Sequence, residues 1–374
     1  MSQRLRAVVL GATGTVGQKL VHLLRDHPSF EVAAIAASER SAGRSYRDAV
    51  HWMEPGSPPE AVAKLIVQSG DDDFDCDLAF SALGSSVASV VEPRLAAAGI
   101  PVVSNASALR MDPATPLVVP EVNPDHLELS QFPSVGAPIV TNPNCATVGL
   151  VMVLKPLHDA LGINAVHVTT LQAVSGAGYP GLSALDILGD AVPFIPGEEE
   201  KLCTEPLKIL GRRRGGRIEP ASMTISAQTT RVPVLDGHLL CVSLRLRQAA
   251  SPTEVAEELA AFRGRIAGLD LPSAPDNPIT VLAGDEPPTP RRHAGAGGGM
   301  TAVIRPSALS CSVPVGFPEL SRSITPPCGS GVSLVILAAF SAAELTHARW
   351  LVQSCRNTGL SGDTSSSILA LSFL

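Results

Sequence analysis

The chain has 374 residues, 45% of them hydrophobic and 17% charged, with a formal net charge of −7 at neutral pH. That length holds about two domains of ordinary size, and an acidic balance with scattered Lys and Arg argues against nucleic acid or an anionic membrane as the main partner. Seven cysteines, at 76, 145, 203, 241, 311, 328 and 355, include no Cys-x-x-Cys pair, so they spell neither a zinc site nor a disulfide framework and fit a reducing compartment, the cytoplasm.

From the N-terminus, Arg4-Leu5-Arg6 runs straight into a short strand at Ala7 to Leu10, which is not the pattern of a secretory leader. Val16, Leu20, Leu23 and Leu24 mark one face of a helix. Val32 to Ala36 and Leu78 to Ala82 read as strands, Val87 to Ala98 as a helix, and Val102-Val103 as another short strand. Strand–helix alternation of this kind implies a doubly wound parallel sheet of Rossmann type. Ala137 to Val140 is a further buried strand, and helical spacing follows from Thr147 to Ala160.

The second part changes character. Ala165 to Gln172 and Met223 to Val234 alternate as long strands, and Asp236-Gly237 is a hairpin signal leading into His238 to Leu246. Ser251-Pro252-Thr253-Glu254 is a capping box opening a helix to about Ile266. These elements suggest an α+β unit with a mixed or antiparallel sheet. Val332 to Ala339 is the longest apolar stretch and too short to span a bilayer.

Two segments carry chemistry. Gly11-Ala12-Thr13-Gly14-Thr15-Val16-Gly17 follows a strand and opens a helix, where glycines let the backbone approach a pyrophosphate. After the second strand, Ser38, Arg40 and Ser41 could hold a 2′-phosphate, as in NADP, while Glu39 leaves NAD open. Cys145 stands where a strand ends and a helix begins, a position whose partial positive charge favours a thiolate nucleophile. Of nine histidines, His238 alone follows a hairpin turn within a strand-rich region and is the candidate acid/base. Arg231, in an apolar strand, needs an anionic partner: a substrate carboxylate or an internal Asp or Glu. Arg110 follows a strand end and could bind an anion there.

GATGTVG (11–17), ASERSAG (37–43), VPEVN (119–123), TNPNCAT (141–147), LQAVSGAGYPG (171–181), IPGEEEK (195–201), TEPLKILG (204–211) and ISAQTTRVPVLDGH (225–238) together resemble the aspartate-β-semialdehyde dehydrogenases of the archaeal/fungal type. The resemblance runs in order to about Met300. It implies a Cys145 acyl-enzyme, His238 as general acid/base and Gln172 orienting the thioester. It also implies Arg231 on the substrate carboxylate, Glu198 on its amino group, and Lys201, Arg110 and Asn144 on phosphate. NADPH is expected against Gly11, Thr13, Gly14, Thr15, Val16, Ser38, Arg40, Ser41, Ser81, Gly84, Asn105 and Gly176, with inorganic phosphate as co-substrate. The implied activity is NADPH-dependent conversion of β-aspartyl phosphate to aspartate 4-semialdehyde, in a homodimer or homotetramer.

The expected domains are 1–144 for NADP and 145–324 for catalysis and dimerisation. A helix near 331–350 is expected to complete the first, and 351–374 to form a disordered tail. After Met300 the family's pattern is not continued, and prolines at 306, 314, 318, 326 and 327 argue against a central strand. The alternatives are a related acyl-phosphate or acyl-CoA reductase (N-acetylglutamyl-phosphate or malonyl-CoA reductase), and an NADPH-binding protein impaired by that segment.

Overall fold

In the computed structural model, which describes residues 4–131, 136–269, 271, 274–308 and 331–338, the apolar runs of the first half become six parallel strands. They are β1 (Leu5–Leu10), β2 (Phe30–Ala37), β3 (Gln68–Ser69), β4 (Leu78–Ser81), β5 (Val102–Ser104) and β6 (Ile139–Thr141). Their order is β3-β2-β1-β4-β5-β6. The winding reverses between β1 and β4, so the crevice beyond those strand ends is the ligand position of such sheets. Helix α1 (Thr15–Leu24) packs Leu20, Val21 and Leu24 on the face of Ala7 and Val9. Two single turns, α2 (Tyr46–Ala49) and α3 (Glu60–Ala63), follow β2. Helix α4 (Ser85–Ala97) packs Val91 and Leu95 on the opposite face, with Val8 and Leu10. Both faces are covered, which is why Ala7 to Leu10 of β1 are apolar without a break.

The second unit opens with α5 (Cys145–Leu161), apolar nearly all round because it is buried nearly all round. Then come β7 (Ile163–Gln172), a turn α6 (Ala184–Ile187), β8 (Val192–Pro193), α7 (Glu198–Ile209) and a small hairpin of β9 (Arg212–Arg214) and β10 (Arg217–Glu219). β11 (Thr224–Arg231), β12 (His238–Leu246), α8 (Pro252–Ala261), β13 (Ile279–Val281), a turn α9 (Pro290–His293), β14 (Ala302–Ala308) and β15 (Gly331–Ala338) complete it. Seven strands form a mixed sheet in the order β13-β14-β15-β12-β7-β11-β8. α5 lies against its inner face, in one core with Val166, Val168, Leu240, Val242, Ile304, Leu334 and Ile336.

Three expectations need correction. The capping box at Ser251 forms in full, but α8 ends at Ala261 instead of about Ile266, because Phe262 is extended and Gly264 sits at φ 77°. The helix expected over 331–350 is a strand over 331–338: Val332, Leu334 and Ile336 repeat with period two and are buried, and eight register pairs join β15 to β12. Residues 339–350 lie outside the described residues, as do the other prolines of that region, at 314, 318, 326 and 327, and the expected tail. Pro306, read against a strand, lies inside β14, beyond Ile304, the last β14 residue that pairs with β13, so among the described residues its missing N–H costs no bond to that strand.

Candidate active site

Strand alternation gathers three polar groups at one end of the mixed sheet. Val166, Val168, Thr170 and Gln172 are buried on β7, Thr229 and Arg231 on β11, and His238, Leu240 and Val242 on β12. Arg231 stands opposite Gln172 in register, and Leu239 of β12 opposite Leu171. The ends of two strands and the start of a third thus bring an amide, a guanidinium and an imidazole to the sheet edge beside the first turn of α5. There Asn144 is the N-cap, accepting from Ala146 N–H at 3.0 Å and Thr147 N–H at 3.3 Å, and Cys145 is the first helical residue.

Cys145 Sγ lies 3.1 Å from His238 Nε2. His238 is fully buried, and its Nδ1 accepts from Ala173 N–H at 3.0 Å. A backbone amide keeps its proton, so Nδ1 is the bare nitrogen, and neutral His238 carries its proton on Nε2, facing the sulfur. Burial, and then the nearby Arg231 charge, push the His238 pKa down to about 4. The imidazole is therefore neutral near pH 7. Its Nε2–H and the helix start both favour negative charge on the sulfur.

Arg231 Nη1 donates to Ala173 O at 2.7 Å and reaches Gln172 Oε1 at 3.5 Å. Burial lowers its pKa. Glu198, first residue of α7, accepts from Lys201 Nζ at 2.8 Å, Asn144 Nδ2 at 2.7 Å and Gln172 Nε2 at 3.3 Å. Its burial opposes the charge, but Lys201 and these hydrogen bonds outweigh it and hold the carboxyl below its ordinary pKa. A Cβ on Gly176 would stand 2.8 Å from Arg231 Nη1 and 3.4 Å from His238 Cε1, so glycine lets this loop close on both.

A cleft of about 1110 Å³ runs from Cys145 and His238, past Gly176, to Thr15 and Val16 at the start of α1. A smaller cavity of about 210 Å³ is lined by Val16, Gly84, Asn105, Arg110 and Lys201 among others. Val16 borders both. Gly11, Thr13 and Gly14 form the turn after β1, and Ser81 ends β4. Ser38, Arg40 and Ser41 stand on the turn after β2 and line neither cavity. Glu39 accepts from Ser69 Oγ at 2.8 Å.

Arg110 is buried and already paired: Nη1 donates to Glu205 Oε1 at 3.0 Å and Nη2 to Asn105 O at 2.6 Å. Glu205 Oε2 also accepts from Asn144 N–H at 2.6 Å. Lys208 Nζ donates to the carbonyls of Arg110, Asp112 and Thr115 at 2.6, 2.6 and 2.7 Å, and burial pushes its pKa down to about 8. Sequence reasoning misses Glu205 and Lys208, although with Glu198 and Lys201 they repeat at helical spacing on α7. It also misses Tyr46, whose hydroxyl donates to Ala12 O of the glycine turn at 2.8 Å. Glu92, buried on α4, is missed too: it accepts from Ser104 Oγ at 2.7 Å, and that oxygen accepts from Ala106 N–H at 3.0 Å.

Residues 6–130 match the family model described as semialdehyde dehydrogenase, NAD binding domain, and residues 154–305 match semialdehyde dehydrogenase, dimerisation domain. The chain is 45% identical over 302 residues to an aspartate-semialdehyde dehydrogenase of Methanothermobacter thermautotrophicus, covering 79% of this chain and 87% of the relative. It is 42% identical over 312 residues to one from Trichophyton rubrum, covering 80% and 86%. The solved structure of aspartate semialdehyde dehydrogenase with NADP from Candida albicans superposes with a TM-score of 0.80 at 35% identity, covering 94% of this chain and 99% of that one.

Proposed function

The chain belongs to the aspartate-semialdehyde dehydrogenase family, in its archaeal and fungal branch, and on that premise we propose that it converts β-aspartyl phosphate to aspartate 4-semialdehyde through a thioester on Cys145. The observation that carries this reading is the 3.1 Å approach of Cys145 Sγ to His238 Nε2, at a helix start, in a cleft that reaches the glycine turn.

NADP(H) is the cofactor. The glycine turn fits a dinucleotide: Gly11 has φ 73°, a Cβ there would meet Ala82 O at 2.5 Å, and a Cβ on Gly17 would meet Gly11 O at 2.2 Å. Gly14 caps α1 without a side chain, leaving bare backbone for a pyrophosphate. Glu39, the carboxylate an NAD ribose would use, is engaged by Ser69, while Ser38 and Arg40 are exposed for a 2′-phosphate with Ser41 beside them. Thr13, Thr15, Val16, Ser81, Gly84, Asn105 and Gly176 complete the cofactor set. When bound, NADPH supplies the hydride that reduces the acyl carbon.

Cys145 sulfur forms a bond to the acyl carbon as the bond to phosphate oxygen breaks. Phosphate departs toward Arg110 and Lys201, at the small cavity, with Asn144 beside it. After reduction the carbon–sulfur bond breaks, the carbonyl re-forms and sulfur leaves as thiolate. The His238 Nε2–H, already aimed at the sulfur, donates to the tetrahedral oxygen and to the departing thiolate. Arg231 keeps Nε and Nη2 donors beyond the Nη1 contacts described above for the substrate carboxylate, Glu198 takes the amino group, and Gln172 orients the thioester. Glu198 for an amino group, Lys201 and Arg110 at the small cavity for phosphate, and Arg231 for a carboxylate set a short amino-acyl phosphate above malonyl-CoA. The cofactor is assigned to 1–144 and catalysis and dimerisation to 145–324. The protein is an oligomer, consistent with its dimerisation-domain match. A homodimer through the outer face of the mixed sheet, where His167, Cys241 and Arg245 are exposed, is the assembly proposed, with the homotetramer as its extension. No helix among the described residues is long and apolar enough to cross a membrane, and a nucleophilic Cys145 that has to stay reduced suits the cytoplasm.

Phosphate-dependent NADPH formation from aspartate semialdehyde tests the reading. Cys145→Ser is expected to abolish it, and undiminished turnover by that variant would overturn the thioester.

A further inference from the structure

One face of α7 does more than contact substrate. Lys201, Glu205 and Lys208 recur at helical spacing, and each reaches a different part of the anion cavity or its frame. Glu205 takes the Arg110 guanidinium at 3.0 Å and the Asn144 N–H at 2.6 Å. Lys208 takes the backbone carbonyl of Arg110 itself, at 2.6 Å, with two more carbonyls of the same turn. Arg110 is thus held at its side chain and at its main chain by one helix. Among the described residues, Arg110 Nε and Asn105 Nδ2 are buried donors without partners, and both residues line the cavity with Lys201. Orphaned donors at a lysine-lined hollow call for an oxyanion.

We propose that Glu205 and Lys208 are positioning residues for a phosphate-binding Arg110, acting through it and not on the substrate. This rests on the acyl-phosphate reading above and adds the residues that set its anion site. Glu205→Asp keeps the charge and retracts the carboxylate by one methylene, so it tests position alone. Lys208→Met keeps length and removes the three donated bonds. Each is expected to raise the KM for inorganic phosphate about tenfold or more, with the semialdehyde KM nearly unchanged. In an Arg110→Ala background neither is expected to add a further loss, which a merely structural role would not produce.

Calorimetric titration with inorganic phosphate, without turnover, is expected to rank the variants in the same order. An unchanged phosphate KM and affinity in folded Glu205→Asp would overturn the proposal. So would losses that add in full to that of Arg110→Ala. Wild-type protein that binds phosphate but makes no NADPH would sink the activity and leave this inference standing.

Discussion

His238 is a buried base whose protonation weakens the fold. Its pKa lies near 4, below the ordinary histidine value, because burial and Arg231 oppose a second proton. At this site the unfolded chain therefore binds more protons between roughly pH 6.5 and 4, so the His238 contribution to stability is full above 6.5 and is lost as pH falls through that window, by about 3 kcal/mol. Urea midpoints of wild type against His238→Asn across that range are expected to converge at low pH. The pH profile of turnover is expected to lack a limb near 6.5. At Gly176 the constraint is steric: Gly176→Ala puts a methyl 2.8 Å from Arg231 Nη1. Steady-state kinetics are expected to show kcat/KM for the semialdehyde down by about ten- to a hundredfold, while stability changes by about 1 kcal/mol or less. The sequence marks Cys145, His238 and Arg231 by position alone. What it could not show is the tautomer, because that depends on one amide, Ala173 N–H, brought to Nδ1 from 65 residues away.

At the scale of elements, α5 and α7 share the site. Asn144 caps α5 with its Oδ1 and binds Glu198 of α7 with its Nδ2 at 2.7 Å. Asn144→Ala removes a cap and a charge-assisted bond together, an expected loss of about 2–4 kcal/mol by chemical denaturation. It is also expected to slow alkylation of Cys145 by iodoacetamide, since the helix start no longer holds the sulfur. The strand ends carrying Gln172 and Arg231 were legible from period-two patterning. α7 was legible as a charged helix start but not as a frame, because Glu205 and Lys208 find their partners 95 and 98 residues away along the chain. β15 is not legible as a strand: its sequence weakly resembles a helix despite the alternation of Val332, Leu334 and Ile336, and its pairing partner β12 lies far upstream.

Over the whole molecule, β15 matters more than its apolar run suggests. It lies between β14 and β12, and Ile336, fully buried, stands opposite both Ile304 and Leu240. Truncation there empties the core directly beneath α5, so Ile336→Ala is expected to cost about 2–5 kcal/mol in a denaturant titration. The same core carries the strand end that holds His238, whose register partner on β15 is Ala338. The cleft, in turn, is walled by Thr15, Val16 and Lys19 of α1 on one side and by Cys145 and the 174–182 loop on the other, and Tyr179 of that loop stacks on His51 of the first unit with ring centroids 5.2 Å apart. A ligand seated there binds the folded state of both units at once. NADP(H) at a hundred times its dissociation constant is therefore expected to stabilise the chain by about 2.7 kcal/mol and to offset much of the Ile336→Ala loss. Thermal unfolding of wild type and Ile336→Ala, each with and without NADP(H), measures this. Equal upward shifts in both proteins are expected. A variant that unfolds at the same temperature with and without cofactor would mean that β15 supports the cofactor cleft as well as the core.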